Sequence, residues 1–157
     1  MQKTFLITGC AGFIGSNLVD FLLKKKFKII GLDDLSKGRS FFLKKAFKNK
    51  NFKFIKVDLL KKNIDKYFKN VDTVFHLAAN ADVRFGTKFP RRDLEQNTIV
   101  TYNVLEAMRS HGICKIAFAS TGSVYGDATV IPTPENAPFP IQTSLYAASK
   151  LAGEGLI

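Results

Sequence analysis

Short continuous apolar runs alternate along the chain with longer segments whose apolar residues return every three or four positions. That is the pattern of strands buried in a parallel sheet and of the helices that connect them. Phe5-Leu6-Ile7 reads as strand one and Phe13 to Leu23 as the first helix. Lys28 to Leu32 is strand two, ending at Asp33-Asp34, and Phe52 to Val57 is strand three. A short helix is predicted over Asn63 to Phe68, and Thr73-Val74-Phe75, with Val71, gives strand four. After Pro90, a long helix is expected from Arg91 to Ser110, stopped by His111-Gly112. Its apolar positions Leu94, Ile99, Tyr102, Val104, Leu105 and Met108 include pairs three and four apart, so one face should be buried. Asn97 and Asn103 interrupt that pattern; Asn97 either faces solvent or supports a cleft from below. Lys115 to Ala119 is strand five. A loop with prolines at 132, 134, 138 and 140 then leads into a helix carrying Tyr146 to Lys150. The fold class expected is α/β, a doubly wound parallel sheet in one domain.

Composition narrows this picture. A chain of 157 residues, 46% hydrophobic with 12% aromatics, can bury one real core and is neither disordered nor a coiled coil. No apolar run approaches the ~20 residues of a membrane span, and the N-terminus lacks a signal-peptide layout. Two cysteines, Cys10 and Cys114, are too few for a disulfide framework, which fits a reducing cytoplasm. Both are expected to be small buried residues. The net charge of +11 comes from 15 of the 19 lysines lying between Lys24 and Lys69. No nucleic-acid motif accompanies them, so they read as a solvated face with neither a nucleic acid nor a membrane as partner.

Candidate chemistry begins where strand one ends. Thr8-Gly9-Cys10-Ala11-Gly12-Phe13-Ile14-Gly15 places three glycines at intervals of three between a strand and a helix. Gly9 suits a tight turn, Gly12 lets backbone amides approach a pyrophosphate, and Gly15 lets the helix pack on the strand. The helix start, at Phe13, Ile14 and Gly15, supplies unpaired amides and partial positive charge. This is the layout of a dinucleotide-binding turn in a Rossmann sheet. Asp33, near the ~20-residue distance at which an acid meets the adenosine ribose, argues for NAD over NADP, because a carboxylate repels a 2′-phosphate. Lys37 and Arg39 pull the other way. Asp58-Leu59 closes strand three where an adenine ring would lie. Leu77-Ala78-Ala79 would keep the floor of the cofactor cleft open, and His76 reads as a structural residue at the strand end.

Strand five delivers Ser120-Thr121-Gly122-Ser123-Val124-Tyr125-Gly126 at its carboxyl end, where open parallel sheets bind ligands. Tyr146 and Lys150, four apart, share one face of the following helix. An ammonium beside a phenol, and the positive ring of an oxidised nicotinamide, favour the ionised form and so make a tyrosine a usable general base.

TGCAGFIG, Asp33, Asp58, HLAA, Asn97, STGSVYG and YAASK occur in the order seen in the extended short-chain dehydrogenase/reductase family. Over its whole length the chain resembles the nucleotide-sugar branch, most of all the UDP-hexose 4-epimerases. The resemblance implies an NAD-binding domain followed by a smaller sugar-nucleotide lobe. It puts Thr121 where the family has its catalytic Ser/Thr, Tyr146 where it has the base and Lys150 where it has the ribose-binding lysine. It also implies that Asn97 belongs to the cofactor site and that the enzymes pair as homodimers through the helices around 91–110 and 145 onward. The reaction implied is NAD-dependent epimerisation through a transient 4-keto sugar, without a metal.

One position separates the branches. The family's 4,6-dehydratases usually carry Asp-Glu before Val-Tyr-Gly, and its decarboxylases usually keep the Glu; here Gly122-Ser123 stands, so elimination lacks an obvious proton carrier. Two other readings stay open: another nucleotide-sugar reductase or dehydratase of the family, and a non-catalytic NAD-binding module. The expected sheet stops after strand five, and residues 1–157 would form an incomplete NAD-binding Rossmann domain, truncated as the Tyr-Lys helix begins and inactive without the sugar lobe.

Overall fold

The computed structural model describes residues 2–61 and 63–157, and of Phe85 the backbone alone. It divides into two compact units, one comprising residues up to Ala79 with Asn103–Ala119, the other Asn80–Tyr102 with Ser120–Ile157.

The first unit holds a five-stranded, all-parallel sheet in the order β3-β2-β1-β4-β5. Its strands are β1 (Thr4–Thr8), β2 (Lys28–Asp33), β3 (Phe52–Lys56), β4 (Thr73–His76) and β5 (Ile116–Phe118). Thr8 lies opposite Leu32 on one side and His76 on the other, so strand order reverses around β1. That is the switch point at which open parallel sheets leave a crevice for ligands. α1 (Phe13–Lys24) buries Val19, Leu22 and Leu23 in one cluster with Ile7 and Ile29. Lys26, at φ 63°, closes that helix: its N–H donates to the Leu23 carbonyl and the next N–H, from Phe27, to that of Leu22. This double bond is an αL helix stop made without the usual glycine.

Between β2 and β3 the chain forms two 3₁₀ turns, Ser40–Leu43 and Ala46–Lys48, whose Leu43 and Ala46 complete the α1 cluster. The helix predicted over Asn63 to Phe68 is a single 3₁₀ turn, Asp65–Tyr67. Cys10 is buried, and its thiol is pushed far above its ordinary value by burial and by Asp33. Cys114 is exposed, contrary to expectation.

The long helix departs most from its prediction. It starts at α2 (Pro90–Asp93), passes through a π turn (Leu94–Ile99) and continues as α3 (Val100–Ser110). The buried face is not the apolar one expected: Leu94, Ile99 and Tyr102 are exposed, while Asn97, Val100, Thr101, Val104 and Met108 are buried at three- and four-residue spacing. In the second unit, α4 (Leu145–Leu156) packs on the π turn and is capped by Ser144, whose Oγ accepts from Ala147 N at 3.1 Å. Among the described residues, no helix is long and apolar enough to cross a membrane.

Candidate functional site

In the first unit the glycine turn follows β1 directly. Gly9 has φ 67°, and a Cβ there would stand 2.8 Å from Ala78 N. At Gly15 it would stand 2.2 Å from the Gly9 carbonyl oxygen, so α1 can lie this close to the turn only with no side chain. Gly12 differs: a Cβ would meet one atom, Gly9 O at 3.3 Å. The chain's own packing does not require that glycine, so a backbone approach from outside remains open there. Gly12 also stands at the N-cap of α1 without a side-chain cap, and the first turn holds no acid. A helix start of this kind leaves N–H groups and dipole available to a pyrophosphate.

Asp33 is buried at the carboxyl end of β2. Its Oδ2 accepts from Ala11 N at 2.9 Å and its Oδ1 from Leu35 N at 2.8 Å. A carboxylate has about four acceptor positions, so two remain for ribose hydroxyls. Asp58 accepts from Leu60 N at 3.0 Å, and the Leu59 carbonyl is held by Asn103 Nδ2 at 2.9 Å. Asn103 entered the sequence reading only as an interruption; no local signal pairs residues so far apart. Leu77 and Ala78 both donate to Thr8 Oγ1 at 3.1 Å, fixing the HLAA segment to the end of β1. Leu77, Ala78 and Ala79 are partly accessible, and Phe13 and Ile14 are exposed. His76 is buried, bonded to Thr8 Oγ1 at 2.7 Å and stacked on Phe118. Those contacts suit a residue that stiffens a strand end.

In the second unit Thr121 caps the 3₁₀ turn Gly122–Tyr125, its Oγ1 accepting from Ser123 N at 3.1 Å. Ser120 Oγ donates to Glu154. Tyr146 is half-buried in the first turn of α4, and Lys150, one turn on, is only 2% exposed. Burial pushes the Lys150 ammonium down from 10.5 to about 8. Asn97 is buried inside the π turn, not solvent-facing. Its Oδ1 accepts from Asn80 N at 2.7 Å, and its Nδ2 donates to Ser149 Oγ at 2.9 Å. Ser149 Oγ in turn donates to the Tyr146 carbonyl at 2.7 Å. Asn97 thus holds the residue between Tyr146 and Lys150, and Asn80 Nδ2 reaches on to buried Asp93 at 2.7 Å. Asn80, Asp93 and Ser149 were not singled out by sequence, because their partners are set by the helix pairing.

The shift at Lys150 has a stability consequence. The folded group holds its proton less tightly than the unfolded one, so a destabilising cost of about 3 kcal/mol is present in full below pH 8. That cost is relieved as pH rises from about 8 to 10.5. Lys150→Met should therefore raise stability at neutral pH by up to about 3 kcal/mol and abolish the rise above pH 8. Denaturant unfolding across that pH range measures both; equal slopes in the two proteins would refute it.

Among the described residues no group of histidine, cysteine and carboxylate side chains could hold a metal ion. The profile of the NAD dependent epimerase/dehydratase family matches residues 5–157. The chain is 40% identical over 152 residues to UDP-glucose 4-epimerase of Mycolicibacterium smegmatis, covering 95% of this chain and 48% of that protein. It is equally 40% identical over 156 residues to the putative UDP-glucose 4-epimerase of Methanocaldococcus jannaschii, covering 97% and 49%. Among solved structures, UDP-glucuronic acid 4-epimerase from Bacillus cereus, in complex with UDP-glucuronic acid and NAD, superposes with a TM-score of 0.89. That match has 34% identity and covers 98% of this chain and 50% of the other. The chain spans about half the length of the curated relatives it matches.

Proposed function

The chain belongs to the NAD dependent epimerase/dehydratase family, and from that membership we propose that residues 1–157 are the NAD-binding domain of a nucleotide-sugar epimerase. The substrate class is a UDP-hexose, inverted at its 4-position. The observation that carries this reading is the pair on α4: a half-buried Tyr146 one turn before a buried Lys150, with Asn97 holding Ser149 between them. The names of the three relatives given above, each a 4-epimerase or putative 4-epimerase of a UDP-sugar, support the reaction class.

The residues present fit NAD. The N–H groups of Phe13, Ile14 and Gly15 would meet the pyrophosphate across open Gly12, Asp33 the adenosine ribose, and Asp58 with Leu59 the adenine. Leu77, Ala78 and Ala79 would line the floor, and Lys150 would hold the nicotinamide ribose, with Asn97 fixing α4. When bound, NAD supplies an acceptor and donor of hydride. The Tyr146 phenolate removes the proton of the sugar 4-hydroxyl, and Thr121 hydrogen-bonds the same oxygen. Charged Lys150 stabilises negative charge on the phenol oxygen while the proton is away. Returning the proton from Tyr146 completes the cycle, so one acid/base suffices. Gly122 and Ser123 bring no carboxylate, which leaves elimination without a proton carrier and favours epimerisation over dehydration. Turnover is assigned to a protein that also carries a sugar lobe; alone, this chain binds NAD and is catalytically silent. Exposed Leu94, Ile99, Tyr102 and Leu145 support homodimer pairing through this unit's helices, which sedimentation would detect.

The cofactor assignment is tested by calorimetry. Asp33→Asn keeps an oxygen toward Ala11 N but turns an NH2 to Leu35 N and removes the charge, so NAD should bind at least about tenfold more weakly and the margin over NADP should shrink. If the unchanged chain already prefers NADP, the reading of Asp33 fails.

A further inference from the structure

We propose that the outer surface of α1 and the two 3₁₀ turns docks on an anionic phospholipid bilayer, with lysines against the headgroups and phenylalanines at the acyl boundary. Residues 21–57 hold twelve Lys and Arg against two acids, a net +10 of the chain's +11. All twelve cations are exposed. Both acids bond the backbone: buried Asp33 accepts from Ala11 N and Leu35 N, and partly exposed Asp34 from Ser36 N at 2.8 Å.

Charge alone would be a solvated face. The aromatics change that reading. Leu43 and Ala46 plug into the same core as Leu22 and Leu23 of α1, so both turns lie on the α1 side of the sheet. Their phenylalanines stay accessible, Phe47 with one face packed on Phe52 and Phe54. Phe41 is 64% exposed, Phe21 55%, Phe47 50% and Phe42 44%. Lys44 Nζ stands 4.3 Å from the Phe41 ring centroid and Lys25 Nζ 5.7 Å from that of Phe21, so cation and ring are presented together. Phenylalanine has no polar tip to keep it in water, and four on the α1 side of a single unit present apolar area beside charge. A surface with phenylalanine beside lysine matches the interface of an anionic bilayer, where buried apolar area and headgroup attraction add. A bilayer is favoured over a nucleic acid because eleven of the twelve cations are lysine, a point charge, and one is the planar Arg39 that suits bidentate phosphate and base recognition.

Flotation of the 157-residue chain with vesicles tests this. Partitioning into phosphatidylcholine mixed with phosphatidylglycerol should exceed that into phosphatidylcholine alone by at least about tenfold and collapse at high salt. Phe41→Ala/Phe42→Ala/Phe47→Ala, which leaves charge untouched, should lower partitioning by about tenfold with an unchanged circular dichroism spectrum. Lys44→Glu/Lys45→Glu/Lys48→Glu should abolish it. Equal partitioning into both vesicle types, or triple-Ala partitioning equal to the parent chain, overturns the proposal. So does tighter binding to a single-stranded oligonucleotide than to anionic vesicles. NAD affinity, measured in parallel, should be unchanged in the triple-Ala variant, which separates this proposal from the cofactor reading.

Discussion

Replacing Tyr146 by Phe, in a chain that carries the second half of the relatives' length, should lower UDP-hexose epimerisation by at least about 10²-fold while NAD stays bound. Phe keeps the ring and its half-buried packing at the start of α4, so the loss isolates the phenol oxygen. Thr121→Ala should slow the reaction less, because Thr121 shares its Oγ1 with Ser123 N and only assists at the same sugar oxygen. The readout is interconversion of UDP-glucose and UDP-galactose at saturating substrate, with NAD content measured on the same sample. Near-normal turnover in Tyr146→Phe would remove Tyr146 from the role of base and leave the epimerase reading without its proton carrier.

The second large effect concerns folding. Gly15→Ala should cost more than about 3 kcal/mol, enough to deplete the folded state of a domain this size. The added Cβ would sit 2.2 Å from the Gly9 carbonyl oxygen and 2.8 Å from Cys10 Cα, and neither neighbour is a side chain that can rotate away. Relief requires moving α1 off β1, which opens the cluster of Val19, Leu22 and Leu23. Gly12→Ala is the control: with one contact at 3.3 Å it should keep stability within about 1 kcal/mol and lose affinity for NAD instead. Unfolding curves and calorimetry on the two variants separate these outcomes. Equal stability loss at both positions would mean that Gly12 serves the fold as well.

Much of this architecture was legible because it rests on local rules. Each of the five apolar runs, and the strand–glycine–helix junction, is visible within a few consecutive residues, and the sheet is parallel as expected. The Tyr146–Lys150 spacing is likewise a property of any helix. What escaped the sequence depends on one-residue differences or distant partners. The π turn at Leu94–Ile99 is a single extra residue, and the buried face runs through polar Asn97 and Thr101, which left Leu94, Ile99 and Tyr102 exposed. The short turns around Leu43 and Ala46 lack helix length, so periodicity could not register them. Asn103 meets Leu59, and Asn97 meets Ser149, across 44 and 52 residues. Such pairs are fixed by tertiary packing, which no window on the sequence contains. Cys114 was read as buried from residue type alone, and type says little about a residue just beyond a helix end.

The hydroxyl of Thr8 settles a question of proton inventory one strand away. It accepts from Ala78 N and shares Leu77 N with the Thr8 backbone carbonyl, so its acceptor side is turned to the backbone. Its one hydrogen is then assigned to His76 Nδ1, 2.7 Å away, with that nitrogen as the acceptor. That assignment puts the imidazole proton on Nε2. A nitrogen-15 spectrum should show Nδ1 as pyridine-like and Nε2 as pyrrole-like. Thr8→Val would remove that instruction and leave Ala78 N without the acceptor that seats it, while Leu77 N keeps its bond to the Thr8 carbonyl.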